Sequence, residues 1–144
     1  MHSPAYQAAP RVDPRIIDAQ VGIRTPDSYR ELKDAKRIVL KNADRDVFGD
    51  CTVVIRTAPG HTPGHQMLFL KLRNFGPLLL MGDLYHFPEE KTLDRVPSFD
   101  FDAAMTRATR RNVDAFVRQT GAQAWIQHDP ATYAPLKKAP QFYD

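Results

Sequence analysis

From residue 37 onward, apolar residues arrive in short runs cut by polar turns, which is a strand pattern more than a helical one. Residues 38–40 and 52–57 are two such runs, separated by the polar loop 42–50 with its turn residue Gly49. A third, 65–72, follows the Pro- and Gly-containing stretch 59–64. A turn at 74–76 leads to a fourth, 77–81, which ends on Gly82-Asp83. The stretch 84–99 holds Pro88, Pro97 and several charged residues, and predicts a loop over the sheet edge. One segment has a strong helical period: in 101–119, Phe101, Met105, Ala108, Asn112 and Phe116 recur at three- and four-residue steps. Asp100 is placed to cap its start and Gly121 its end. Residues 122–127 predict a last strand, stopped by His128-Asp129-Pro130. The order is ββββ-α-β with a Pro-containing tail, an α/β pattern without internal repeats.

The first 26 residues differ. Pro4, Pro10, Pro14 and Pro26 punctuate them, and only 16–17 and 21–23 offer apolar neighbours, so 1–26 reads as an arm or linker and 27–144 as the domain. A short helix is predicted over 27–32, with Asp27 as its cap. The whole chain of 144 residues suffices for one domain with a hydrophobic core. A hydrophobic content of 42% and a charged content of 26% exclude disordered and fibrous classes. No apolar run approaches the roughly 20 residues that a membrane helix needs. No signal-peptide pattern opens the chain, so the default expectation is a cytoplasmic protein without a membrane partner.

The net charge of +3 is too small to imply nucleic acid. Arg107, Arg110, Arg111 and Arg118 lie along the predicted helix without interleaved aromatics, and read as a solvated face rather than a strand-binding platform. Trp125, on a predicted buried strand, reads as core. With Cys51 as the one cysteine, neither an internal disulfide nor a multi-cysteine metal site is available.

Three ligand-type residues follow predicted strands. His61 lies in Pro59-Gly60-His61-Thr62-Pro63-Gly64-His65, Asp83 ends Leu80-Met81-Gly82-Asp83, and His128 ends Trp125-Ile126-Gln127-His128. Strand ends hold side chains in fixed positions beside loops, and imidazole with carboxylate suits zinc, iron or manganese. Spacing alone leaves an ordinary turn role open for each.

The motifs carry a resemblance. Gly60-His61-Thr62-Pro63-Gly64-His65 resembles the third metal motif of the metallo-β-lactamase superfamily, Leu80-Met81-Gly82-Asp83 its fourth, and His128 its last ligand, all in the right order over about 37–130. Val96-Pro97 before a long helix, followed by 125–129, is similar to the C-terminal segment of N-acyl-homoserine-lactonase-like members. The resemblance implies half of an αβ/βα sandwich: a mixed sheet with one principal helix layer. It also implies a metal-dependent hydrolase for a small acyl substrate such as a lactone or β-lactam. His61, Asp83 and His128 would then be ligands to one or two zinc ions, with iron or manganese as alternatives, and Asp83 the bridge. His65 would buttress the loop. In lactonase-like relatives a Tyr three residues after this Asp serves the substrate. Here that position is His86, with Tyr85 one residue early, so either is a candidate to polarise a carbonyl or donate a proton.

The superfamily's first motif, His-x-His-x-Asp-His, is missing from this sequence; His2 is the one histidine before His61. The chain therefore reads as the C-terminal half of such a domain, carrying one terminal ligand per metal and the bridge. Two functions remain in play: a hydrolase completed by ligands from elsewhere, and a catalytically inactive metal-binding fragment. A half-sandwich leaves one sheet face wet, which predicts a homodimer or higher oligomer.

Overall fold

The computed structural model describes residues 38–144. The arm 1–26 and the helix expected over 27–32 lie outside the described residues. Five strands form one sheet in the order β1 (Arg45–Asp46), β2 (Val53–Thr57), β3 (Gln66–Leu72), β4 (Gly76–Leu80) and β5 (Gln123–Trp125). The first four run antiparallel in sequence, and β5 joins β4 in parallel. That parallel step needs a crossover. It is supplied by the short helix α1 (Pro88–Thr92) and the long helix α2 (Ala103–Thr120). A last short helix, α3 (Pro130–Tyr133), follows β5. The mixed sheet with one main helix is the α/β fold anticipated.

Register explains the two faces. Met67, Phe69 and Leu79 alternate onto the side that meets Val113 and, at its margin, Phe116 and Val117 of α2. Phe69 and Phe116 touch edge to face at 5.0 Å between ring centroids. On the opposite side, pairing lines up Ile55, Leu68 and Leu80 in one row and Val53, Leu70 and Leu78 in the next. Both faces of the central strands are thus apolar.

Several expectations need correction. Residues 38–40 are not a strand; β1 instead sits inside the expected loop, at Arg45–Asp46, where two residues reach β2. The expected loop 84–99 contains α1, which starts at Pro88, where a proline's missing N–H costs nothing. The cap of α2 is Asp102, whose side chain accepts the Met105 N–H at 2.9 Å, and not Asp100. Gly121 ends the helix in the left-handed conformation, as the pattern implied. The face of α2 that packs inward is Thr106, Thr109, Arg110 and Val113, whereas Phe101, Met105 and Asn112 point outward. Thr109 donates to the Pro59 carbonyl, and Thr106 to Asp100. Arg110, expected in solvent, is buried: it donates to the carbonyls of Leu84 and Arg95 and to the Glu90 carboxylate. Those partners are polar groups of the α1 segment, so a charged side chain serves as its anchor. Trp125 is half-buried and meets Phe75 and Tyr143 edge-on, with the end of the chain packed beside it.

Candidate metal centre

Leu80 of β4 and Trp125 of β5 are paired in register, and the Met81 N–H donates to the Trp125 carbonyl at 3.1 Å. Asp83 and His128 each lie three residues beyond that pair. Parallel strands end on the same edge, so the two side chains emerge together, with His128 Nε2 2.6 Å from Asp83 Oδ1. The loop between β2 and β3 opens onto the same edge, because β3 runs antiparallel to β4. It carries His61, whose Nε2 is 3.7 Å from Asp83 Oδ2.

Glycine makes this loop fit. Gly60 has φ near +141°, and a Cβ there would stand 2.5 Å from the Thr106 backbone. Its absence lets the loop dock on the start of α2, where the Asp102 and Phe101 N–H groups donate to the Gly60 and His61 carbonyls. Gly82, at φ near +57°, leaves room for the His65 ring, which a Cβ would meet at 2.7 Å.

His65 is fully used. Its Nδ1 bonds the Ala58 carbonyl at 2.9 Å, and its Nε2 accepts the Asp83 N–H at 2.9 Å. A ring with the proton on Nδ1 satisfies both bonds and has no lone pair left for an ion. Burial holds this imidazole below the ordinary histidine range, against the pull of the Ala58 carbonyl and Asp83. His61 is held differently. Its Nδ1 meets Asp100 Oδ1 at 2.9 Å, while Asp100 Oδ2 accepts from the Thr106 hydroxyl at 2.7 Å. Burial lowers the His61 affinity for a proton, but Asp100, Asp83 and Glu90 outweigh it and the net shift is upward. Burial likewise raises Asp83, yet His128, His61 and His65 together bring it below the usual carboxylate range. Asp100 is shifted the same way: its burial is outweighed by the His61 and Thr106 bonds.

His86 reaches the cluster from the start of the α1 segment. Its ring stacks on that of His128 at 5.0 Å and 25°. One ligand atom each from Asp83, His86 and His128 lies within 4.8 Å of the other two. Burial, with His128 and His61 nearby, pushes its protonation down despite Glu90 and Asp83. Tyr85 goes the other way. It is a core residue, covered by the Arg110 guanidinium 4.1 Å from its ring centroid, and burial together with Asp114 pushes its hydroxyl up to about 12. Tyr85 is thus packed in the core, whereas His86 lines the cleft beside the cluster.

The donor chemistry fits a late first-row metal ion. Imidazole nitrogens and one carboxylate converge, and the Nδ1 of His61 is backed by a carboxylate, the arrangement that orients metal-binding histidines. Asp100, Glu90, Thr106 and Arg110 were not picked out as site residues from sequence. Asp100 carried a signal, an acid beside a helix start, but that signal points equally to a cap. His86 and Glu90 are four apart across Pro88, a helix-start spacing that links them in retrospect.

A cleft of about 540 Å³ adjoins the cluster, lined by His86, Phe87, Val96, Pro97, Phe99 and His128 among others. No helix among the described residues is long and apolar enough to cross a membrane.

No family model matches the chain. Individual relatives do. The chain is 39% identical over 102 residues to N-acyl homoserine lactonase AttM of Rhizobium radiobacter, covering 68% of this chain and 37% of that protein. It is 34% identical over 99 residues to the AttM of Azorhizobium caulinodans, covering 69% of this chain and 38% of the relative. A solved N-acyl homoserine lactone hydrolase, with the product N-hexanoyl-L-homoserine at its catalytic metal centre, superposes with a TM-score of 0.61 at 27% identity. That match covers 70% of this chain and 39% of the other. The chain is a partial homologue of N-acyl homoserine lactonases, which are proteins of the metallo-β-lactamase superfamily. It spans about two fifths of the length of the curated relatives it matches.

Proposed function

We infer that this chain supplies part of the metal centre of a hydrolase that opens the lactone ring of an acylated small molecule. The observation that carries the reading is the meeting of His61, Asp83 and His128 at one sheet edge, in a homologue of lactonases. When bound, zinc or a similar ion supplies Lewis acidity toward a carbonyl oxygen and acidifies water. The chain's own side chains then have separable tasks. Asp83 offers both oxygens, one toward His61 and one toward His128, as a bridging carboxylate would. Asp100 keeps the Nδ1 of His61 engaged and so leaves its Nε2 for the ion. His65 fixes the Asp83 backbone from behind. Phe87, Val96, Pro97 and Phe99 line the neighbouring cleft with apolar surface suited to an acyl chain.

A two-metal centre of the superfamily's kind also uses a paired-histidine motif, which these 144 residues do not contain. A second copy of the chain is one source of further ligands. The apolar face formed by Val53, Ile55, Leu68, Leu70 and Leu80 favours it, since that face lies away from α2 and is only half-buried. The second reading is a chain that binds metal without catalysis. The experiment is direct: load the protein with zinc or iron, offer an N-acyl homoserine lactone, and follow acid release on ring opening. Metal-dependent turnover that disappears in Asp83→Ala supports the hydrolase. No turnover of lactone, ester or thioester at full metal occupancy supports the second reading.

A further inference from the structure

We propose that His86 is itself a metal ligand, so that Asp83, His86 and His128 hold one divalent transition-metal ion with donors of this chain alone. The proposal rests on the reading of Asp83 and His128 as ligands, and adds a donor that the motif resemblance does not assign.

Three observations converge on it. The ligand atoms of these three residues already lie within 4.8 Å of one another. Around a tetrahedral ion with bonds near 2.0–2.1 Å they would sit about 3.3 Å apart, so modest side-chain rotation closes the set. Second, the Nδ1 of His86 is buried without a hydrogen bond. Glu90 Oε1 is 3.3 Å away but outside hydrogen-bonding angles. A buried polar atom so close to a carboxylate is poised to donate once its ring turns slightly, and ligation of the ion through the other nitrogen fixes the proton on Nδ1. Third, the carboxylate is built in place. Glu90 is gripped by Arg110, which is itself buried and anchored on the carbonyls of Leu84 and Arg95.

The construction repeats one already present. His61 is backed by Asp100, which is held by Thr106; His86 is backed by Glu90, which is held by Arg110. Two histidines and one carboxylate leave open coordination positions, the pattern of catalytic sites more than of closed structural ones. His61, with its Nε2 3.7 Å from Asp83, stands beside that set rather than completing it. Glu90 and Arg110 act as positioning residues for His86.

The test uses the full chain, stripped by chelation and titrated with zinc. Calorimetry with metal analysis gives affinity and stoichiometry, and ¹⁵N resonances of the histidine rings report ligation residue by residue. One equivalent of zinc is expected to shift a ring nitrogen of both His86 and His128. His86→Gln is expected to weaken binding by more than about 100-fold, and Glu90→Gln by about 10–100-fold. If His86→Gln fails to fold, the ring resonances of the unsubstituted protein still decide. A His86 ring unmoved by bound zinc overturns the proposal, as does His86→Gln binding like the parent. If lactone turnover persists in that case, the hydrolase reading stands without it. A chain that binds no zinc at all overturns the proposal outright.

Discussion

At the scale of single residues, His65 and His61 sit 5.9 Å apart between ring centroids yet respond oppositely to protons. The His65 pKa is lowered, so as pH falls through about 6.5 the unfolded chain takes up a proton that the folded chain refuses, and its stabilisation is lost in acid. The His61 pKa is raised, so its contribution is present below about 6.5 and is lost as pH rises through its folded value. Ring NMR on the metal-free protein should show a midpoint above 6.5 for His61 and below it for His65; a shared midpoint would contradict the geometry. His65→Ala leaves a buried carbonyl and the Asp83 N–H without their partner and is expected to cost about 2–4 kcal/mol in urea unfolding. Gly60→Ala should be worse tolerated than any surface change, because the added carbon meets backbone atoms of α2, which cannot rotate away. Its expected signature is loss of the cooperative unfolding transition or a large drop in midpoint.

At the scale of elements, α1 is attached to α2 through Arg110 more than through apolar contact, since no residue of α1 is buried. Arg110→Ala strands the Glu90 carboxylate and is expected to cost about 3–5 kcal/mol. Limited proteolysis should then cut within 86–95 before the sheet unfolds; unchanged protection there would show that the ion pair is not the anchor. The same element shows what the sequence could reveal. Short apolar runs make β2, β3 and β4 legible because both faces of these strands are apolar, and Gly121 marks the helix end. The inward face of α2 was not legible. It carries two threonines and an arginine that satisfy loop groups, so the apolar stripe of the sequence lies about one residue off the buried face. His61, Asp83 and His128 could be read from motif order, each following a strand. The nearness of His86 to His128 was not legible, because their ring stacking joins positions 42 residues apart, which no local pattern encodes.

At the scale of the whole molecule, α2 covers one sheet face while the other presents two rows of aliphatic residues. Burying about 400 Å² of such surface on each partner would contribute on the order of 20 kcal/mol before association costs, enough to hold a pair. Light scattering at several concentrations is expected to give twice the chain mass; a mass of 16.4 kDa at high micromolar protein would remove the second copy as a source of ligands. The parallel step from β4 to β5 also bears on the order in which this centre comes into being. The β2–β3–β4 meander closes loops of a few residues, whereas β5 must find β4 across the 42 residues that separate Leu80 from Gln123. Short closures form early and long ones late. His61 and Asp83 belong to the early part and His128 to the late one, so a refolding chain is expected to pass through a stage with β2–β4 paired and the proposed ligand set unfinished. Zinc added during refolding should therefore leave the pairing of β2, β3 and β4 unhurried and quicken only the final docking of β5.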